Sequence, residues 1–139
     1  MSSLTVSESP SFEPRRLGLT IALWVVQVVL AGLFLLAGIM KSAMPLETLA
    51  ENMPWVGYSP WWIVRLVGVS ELLGAVGLIL PAATRIWPSL TAWAAVGLAT
   101  VMALAIGMHA WHAEWSGLPV NFVLGALAAF VAWGRFTRP

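Results

Sequence analysis

The chain has 139 residues, enough for one domain, and its composition excludes an ordinary soluble protein. Hydrophobic residues make up 60% and charged residues 9%, whereas soluble domains contain about 45–50% apolar and about 25% charged residues. The net charge of +1 gives no electrostatic surface for nucleic acid. The absence of cysteine excludes disulfides, thiol nucleophiles, iron–sulfur clusters and Cys-ligated zinc. We therefore predict an integral membrane protein with the lipid bilayer as its solvent.

The first predicted membrane span follows a polar segment. Residues 1–16 are rich in Ser, Pro and Glu, which is typical of a disordered tail. The next 24 residues, 17–40, carry no charge. As a helix they would be roughly 36 Å long, enough to cross a hydrocarbon core of about 30 Å. Because a signal peptide has an apolar core of only about 7–15 residues, we interpret this segment as an uncleaved membrane helix.

Three further spans are predicted. The second covers about 61–80 and is expected to end at Pro81, since proline breaks helices. The third covers 86–108 without a charge, and the fourth is about 118–134. The sequence therefore predicts an all-α, polytopic four-helix membrane bundle that forms a single domain, 17–139.

The long connection between the first two spans carries a helical pattern of its own. Apolar residues recur there at i, i+3, i+4 and i+7, which is typical of a short amphipathic helix. These residues are Leu46, Leu49, Ala50 and Met53. We expect this helix to lie on the membrane surface.

Small residues recur at four-residue intervals within the predicted spans. The longest series, in the third span, is Ala95, Ala99, Ala103 and Gly107. Such series let helix backbones approach closely in lipid. We expect them to pack against neighbouring helices of the bundle, and the alternative is a homodimer formed through one of them.

The few polar residues divide by depth. At about 1.5 Å per residue, Gln27, Glu71 and Thr100 lie roughly 15–20 Å from the beginnings of their predicted spans. We expect them to form a central polar belt. Lys41 and His109 lie near the membrane interface, just after the C-terminal ends of the first and third spans. By this count the ammonium of Lys41 falls short of Glu71, which leaves a gap for water or a ligand head group.

Glu71 is the most informative of these residues. A charged carboxylate at the centre of a membrane helix costs about 2.5–3.5 kcal/mol and usually faces the bundle interior or a cavity. Two interpretations stay open: a group that relays protons or anchors a ligand, or a structural carboxyl that fixes helix register. Arg65 lies only roughly 6 Å below the interface and is expected to extend outward to it.

The two histidines do not predict a metal site. His109 and His112 are followed by Glu114, but no third strong ligand occurs at a helical spacing. Axial histidines on two facing helices, as haem requires, are also absent. No nucleotide-binding, phosphate-binding or hydrolase motif occurs in the sequence.

Several stretches taken together resemble the DoxX-like family of small four-helix membrane proteins. They are AGIMKS, NMPW, RLVGVSELLGAVGLILP, GMHA and NFVLGALAAFVAWGR, and the resemblance covers about residues 20–136. The resemblance implies the four-helix fold. It also implies that Lys41, Arg65, Glu71 and His109 are polar positions of the family pattern, without an established catalytic role. The family includes subunits linked to quinone-reducing membrane complexes as well as non-enzymatic assembly factors. The cysteines of some members are missing here, which argues against a thiol-based role.

Three functional hypotheses follow. The first is an accessory subunit of a membrane redox complex that binds a quinone or similar apolar ligand in an outward-opening pocket. Lys41, Arg65, Glu71 and His109 would be its ligand-binding residues, supported by the polar belt. No cofactor is encoded, so a membrane or periplasmic partner would supply the redox group and the chain is not expected to be an enzyme alone. The alternative is a non-catalytic scaffold or assembly factor; a carrier is the weakest hypothesis because no inverted repeat occurs.

The positive charges beside the spans predict the orientation in the membrane. Lys41 and Arg65 lie on one side, and five arginines lie on the other: Arg15, Arg16, Arg85, Arg135 and Arg138. Because Lys and Arg are enriched in cytoplasmic flanks, we expect both termini in the cytoplasm of a bacterial inner (plasma) membrane.

Reporter fusions test this topology. Fusions at positions 50 and 113 are expected to report the outside, and a fusion at position 83 is expected to report the cytoplasm. The predicted orientation is wrong if position 83 reports the outside, or if either of the other two reports the cytoplasm.

Overall fold

The computed structural model describes residues 14–137, and all regular structure in that range is helical. Four of the helices are long and apolar enough to cross a membrane. This confirms the predicted all-α, polytopic membrane bundle. The helices are α1 (Pro14–Ala43), α2 (Leu46–Asn52), α3 (Pro54–Tyr58), α4 (Trp61–Thr84), α5 (Ser89–Trp111) and α6 (Leu118–Thr137), with a 3-10 turn at Trp115–Gly117.

The four long helices form a ring. Helix α1 packs along α4, α4 along α5, and α5 along α6, while a thinner contact between α1 and α6 closes the ring. Apolar side chains of all four helices fill its centre, and many large apolar residues on the outer faces are exposed, as expected for a surface solvated by lipid. Among the central residues are Leu30, Phe34, Leu78, Leu98 and Val131.

The helix ends differ from the predicted spans. Helix α1 begins at Pro14 and continues to Ala43, so the last part of the predicted tail is helical; residues 1–13 lie outside the described range. Helix α4 continues through Pro81 to Thr84, and its cap is Arg85, whose φ is 58°. Neighbouring side chains can bond the carbonyls near a proline in a membrane helix. Close to Pro81, the Nε2 of Gln27 donates to the Leu78 carbonyl at 2.6 Å, one residue after the carbonyl that the proline leaves without its usual partner.

Small residues bring α4 close to both of its neighbours. A Cβ atom built on Gly68 would lie 2.8 Å from the Lys41 Cβ, and one on Gly74 would lie 2.5 Å from the Leu98 Cδ2. Side chains larger than hydrogen at these positions would push α1 or α5 away. The second span therefore uses its glycines for packing inside the ring.

The alanine series in α5 behaves differently from the prediction. Ala95 is buried and Ala99 half-buried, but Ala103 and Gly107 are exposed. Each four-residue step turns by about 40° around an α-helix, so a series of four such residues drifts off a single face. The expectation that Ala103 packs within the bundle is therefore wrong.

The long connection forms a cap over one end of the ring. We call α2 and α3 together the cap, and the end that it covers the capped end. Leu49, Trp55 and Val56 of the cap pack with Val64 of α4 in a second small core. This confirms the amphipathic helix, but its apolar face packs against the protein rather than against the membrane surface.

The arrangement predicts that leucine has different effects on stability at two alanine positions of α5. Ala95→Leu overfills a closed part of the core and is expected to lower the free energy of unfolding by about 1–3 kcal/mol. Ala103→Leu adds an exposed side chain and is expected to stay within about 0.5 kcal/mol. Unfolding in detergent, followed by tryptophan fluorescence, measures both, and equal destabilisation would contradict the ring.

Candidate functional site

A buried ion pair joins α1 to α4 beneath the cap. Lys41 Nζ lies 2.8 Å from Oε1 and 3.1 Å from Oε2 of Glu71. The Glu71 side chain is 1% exposed and that of Lys41 is 12% exposed. The two helices come this close because Gly38 and Gly68 face each other at the crossing. Glu71 therefore faces the bundle interior with a cation as its partner.

The sequence arithmetic that left Lys41 short of Glu71 was wrong. It placed Lys41 at the interface, whereas the cap extends beyond the end of α1 and covers it. Side chains on a helix also point toward its N-terminus, which directs the ammonium of Lys41 into the bundle. The Trp55 ring of the cap lies over this ammonium, with 5.9 Å from Nζ to the ring centroid.

Arg65 supports the end of α1 on which Lys41 lies. Its Nη1 donates to the carbonyl of Lys41 at 2.9 Å and to that of Met44 at 2.8 Å. The last carbonyls of a helix lack partners within the helix and favour a nearby cation. Arg65 thus bonds the end of α1 and positions Lys41. It does not line the cavity described next.

A cavity of about 450 Å³ lies between α4 and α5 at the capped end. Its walls are largely apolar, and the ion pair, Ser70, His109 and Asn121 supply its polar groups. Leu66 and Leu104 on its walls are 58% and 70% exposed. The cavity is therefore continuous with the lipid-facing surface and reaches inward to Glu71.

A polar network joins α3 to the connection between α5 and α6. His109 Nδ1 lies 2.9 Å from Oε2 of Glu114. Desolvation raises the pKa of Tyr58 to about 12, and a hydrogen bond to Glu114 and the charge of that carboxylate act in the same direction. The Tyr58 ring stacks on His112 with 4.2 Å between centroids. Sequence reasoning missed Trp55 and Tyr58, although NMPW was part of the resemblance.

The predicted polar belt does not form. Gln27 is buried toward the other end of the bundle, where its Oε1 accepts from Arg135 Nε at 2.6 Å. Thr100 is exposed and donates to the Val96 carbonyl of its own helix at 2.8 Å. Counting residues gives a height along each helix, but it gives neither the face of the helix nor the offset between helices. Within residues 14–137, no three His, Asp or Glu side chains gather as a metal site.

Variants of the ion pair test its structural role. Glu71→Leu leaves a buried lysine without its partner and is expected to lower the free energy of unfolding by about 3–5 kcal/mol. Lys41→Met combined with Glu71→Leu removes both charges and is expected to recover at least half of that loss. Glu47→Leu, at an exposed position of α2, is the control. If the double variant is as unstable as Glu71→Leu, the pairing is not what Glu71 contributes.

Comparison with known proteins gives a family match. The chain matches no curated protein and no solved structure. The family model of the DoxX-like family matches residues 25–131. This range holds most of α1, the cap, the ion pair and the walls of the cavity, and it is well over half of the chain. The protein therefore belongs to the DoxX-like family, as the sequence resemblance predicted, and is a multi-pass integral membrane protein.

Proposed function

We propose that this protein is an accessory subunit of a membrane redox complex and binds a quinone, or a similar apolar ligand with a polar head, in the cavity between α4 and α5. The observation that carries the proposal is an apolar cavity open to lipid with a buried Lys41–Glu71 pair at its inner side. Lys41, Glu71 and His109 are the proposed ligand-binding residues, and Arg65 is a positioning residue.

The size and chemistry of the cavity suit such a ligand. Sites for small molecules enclose about 300–1,000 Å³ and combine apolar walls with a few polar groups, and this cavity of about 450 Å³ has that character. The ammonium of Lys41 makes two hydrogen bonds to Glu71, which leaves one of its three donors for a carbonyl oxygen. The tail of the ligand would remain among the lipid-facing side chains, beside Leu66 and Leu104.

The redox chemistry itself would come from a partner. The chain has no cysteine, and a quinone alone needs a flavin, haem or thiol group to exchange electrons with it. Gly97 and Gly107 of α5 have open space around them, which gives room for a partner helix or a second copy. The proposed location is a bacterial inner membrane with cytoplasmic termini, which puts the capped end and its cavity on the outer side.

Ligand extraction and a matched pair of variants test the proposal. Protein purified in mild detergent is extracted with organic solvent and analysed by mass spectrometry, with bound quinone expected. Ala105 lines the cavity and Ala103, two residues away, does not. Ala105→Phe is expected to weaken binding of decylubiquinone, followed by tryptophan quenching, at least about tenfold because it fills the cavity, while Ala103→Phe leaves binding unchanged.

Two outcomes would contradict the proposal. One is purified protein that carries no quinone and does not bind decylubiquinone. The other is equal binding by both phenylalanine variants, which would place the ligand elsewhere. Stable co-purification of membrane proteins together with the first outcome would favour the alternative, a non-catalytic scaffold or assembly factor.

A further inference from the structure

The wall of the cavity contains both members of a charge pair. Within residues 14–137, the cavity is lined by one basic residue of the Lys and Arg type, Lys41, and by one acidic residue, Glu71. The Nζ of Lys41 lies 2.8 and 3.1 Å from the two carboxylate oxygens. The charges of the two side chains sum to zero, whichever of them holds the proton between them. The pair therefore offers hydrogen bonds and a dipole to a ligand, but no net charge.

The other charged groups near the cavity have partners of their own. Arg65 does not line the cavity, and its guanidinium donates to the Lys41 carbonyl, where the C-terminal end of α1 carries a partial negative charge. His109 does line the cavity, and its Nδ1 lies 2.9 Å from Oε2 of Glu114. A proton taken up by this imidazole would be balanced by the carboxylate beside it. The ion pair therefore dominates the electrostatics that a ligand meets.

The pair lies where a charged head group would lose its water. Glu71 is 1% exposed and Lys41 is 12% exposed, and the cavity opens among lipid-facing side chains such as Leu66 and Leu104. Moving an ion into such surroundings costs far more than moving an uncharged carbonyl, unless an opposite charge receives it. Here the ammonium already has its counterion. An anionic head group would meet the carboxylate together with the ammonium and gain little net attraction.

The opening of the cavity faces a solvent made of chain molecules. Bilayers contain anionic lipids, and their apolar tails suit an apolar cavity as well as the tail of any other lipid-soluble ligand. The tail therefore gives the site little means of rejecting them. The charge of the head group is the property by which the site can distinguish its ligand from the surrounding lipid.

We propose that Glu71 is a specificity-determining residue. It takes the place of the counterion to Lys41 and thereby restricts the cavity to lipid-soluble ligands with an uncharged head group, to the exclusion of fatty acids and other anionic lipids. This inference rests on the proposed function, because it takes the same cavity as the ligand site. It adds a selection by charge that quinone binding alone does not require.

Three ten-carbon probes that differ in charge test the inference. Decyl methyl sulfone is uncharged, decanesulfonate is always anionic and decyltrimethylammonium is always cationic. The full chain is placed in phosphatidylcholine nanodiscs at neutral pH, and binding of the tritiated probes is measured by scintillation proximity, with empty nanodiscs as background. With concentrations expressed as mole fractions in the bilayer, the wild type is expected to bind the sulfone at least about tenfold more tightly than either charged probe.

Variants of the pair are expected to change this selection in opposite directions. Glu71→Gln leaves the ammonium without a counter-charge, and a charge in surroundings of low dielectric attracts its opposite strongly. The dissociation constant of the sulfonate relative to that of the sulfone is therefore expected to fall at least about tenfold. Lys41→Gln is expected to do the same for the cationic probe. Lys41→Gln combined with Glu71→Gln has no charge and is expected to prefer the sulfone, as the wild type does.

Glu47 provides the matched control. It is exposed on α2, at the same end of the bundle, and does not line the cavity. Glu47→Gln removes the same charge as Glu71→Gln and is expected to keep the preference of the wild type. If Glu47→Gln favours the sulfonate as much as Glu71→Gln does, the effect comes from the general field of the protein and the inference is wrong.

The outcomes separate this inference from the proposed function. Wild type that binds the sulfonate as tightly as the sulfone overturns the inference, while binding of decylubiquinone still supports the proposed function; this comparison needs no variant to fold. An unchanged preference in folded Glu71→Gln also overturns the inference. Wild type that prefers the sulfone but does not bind decylubiquinone supports selection by charge and overturns the quinone. Failure to bind any of these molecules overturns both.

Discussion

A lysine and a glutamate remain charged inside an apolar bundle only when each is the other's partner. The cost of removing either charge from water is several kcal/mol, and the pairing offsets it only when the geometry is good. Much of the capped end serves that geometry. Glycines at the crossing let α1 and α4 approach, Arg65 bonds the last turn of α1, and the cap places Trp55 over the ammonium. The ion pair thus depends on how the first two spans meet.

Polar groups divide between the two ends of the bundle according to what they contact. At the capped end, the ion pair and His109 border an open volume between α4 and α5. At the opposite end, Gln27 bonds the Leu78 carbonyl and Arg135 directly, and the Arg135 guanidinium lies 5.1 Å from the Trp24 ring. The polar groups at this end are therefore bonded to other groups of the protein. This contrast is why the candidate ligand site lies at the capped end.

The sequence predicts how far along its own helix each of these residues lies, but it predicts neither the face of the helix nor the offset between helices. Long apolar stretches make the four spans evident, and the spacing of Leu46, Leu49 and Met53 makes α2 evident. Thr100 and Ala103 show the limit, because a residue at the right depth can still face lipid. The contact between Lys41 and Glu71 depends on the crossing of two helices and on a cap that covers the interface. The short connection at 81–85 makes the second and third spans neighbours, but the side-chain directions that open a cavity between them and turn it toward lipid cannot be predicted from the sequence.

Because the cavity opens to lipid, the ligand concentration that determines its occupancy is the concentration in the bilayer. A lipid-soluble molecule is concentrated in the bilayer far above its level in water, and it reaches the opening by diffusing in two dimensions. A site fed from that reservoir can be well occupied with an intrinsic affinity that would be negligible for a ligand arriving from water, since occupancy depends on the ratio of local concentration to dissociation constant. For the proposed ligand, specificity would then depend on the head group beside Lys41 and His109. A tail that stays in the bilayer would add little to that specificity.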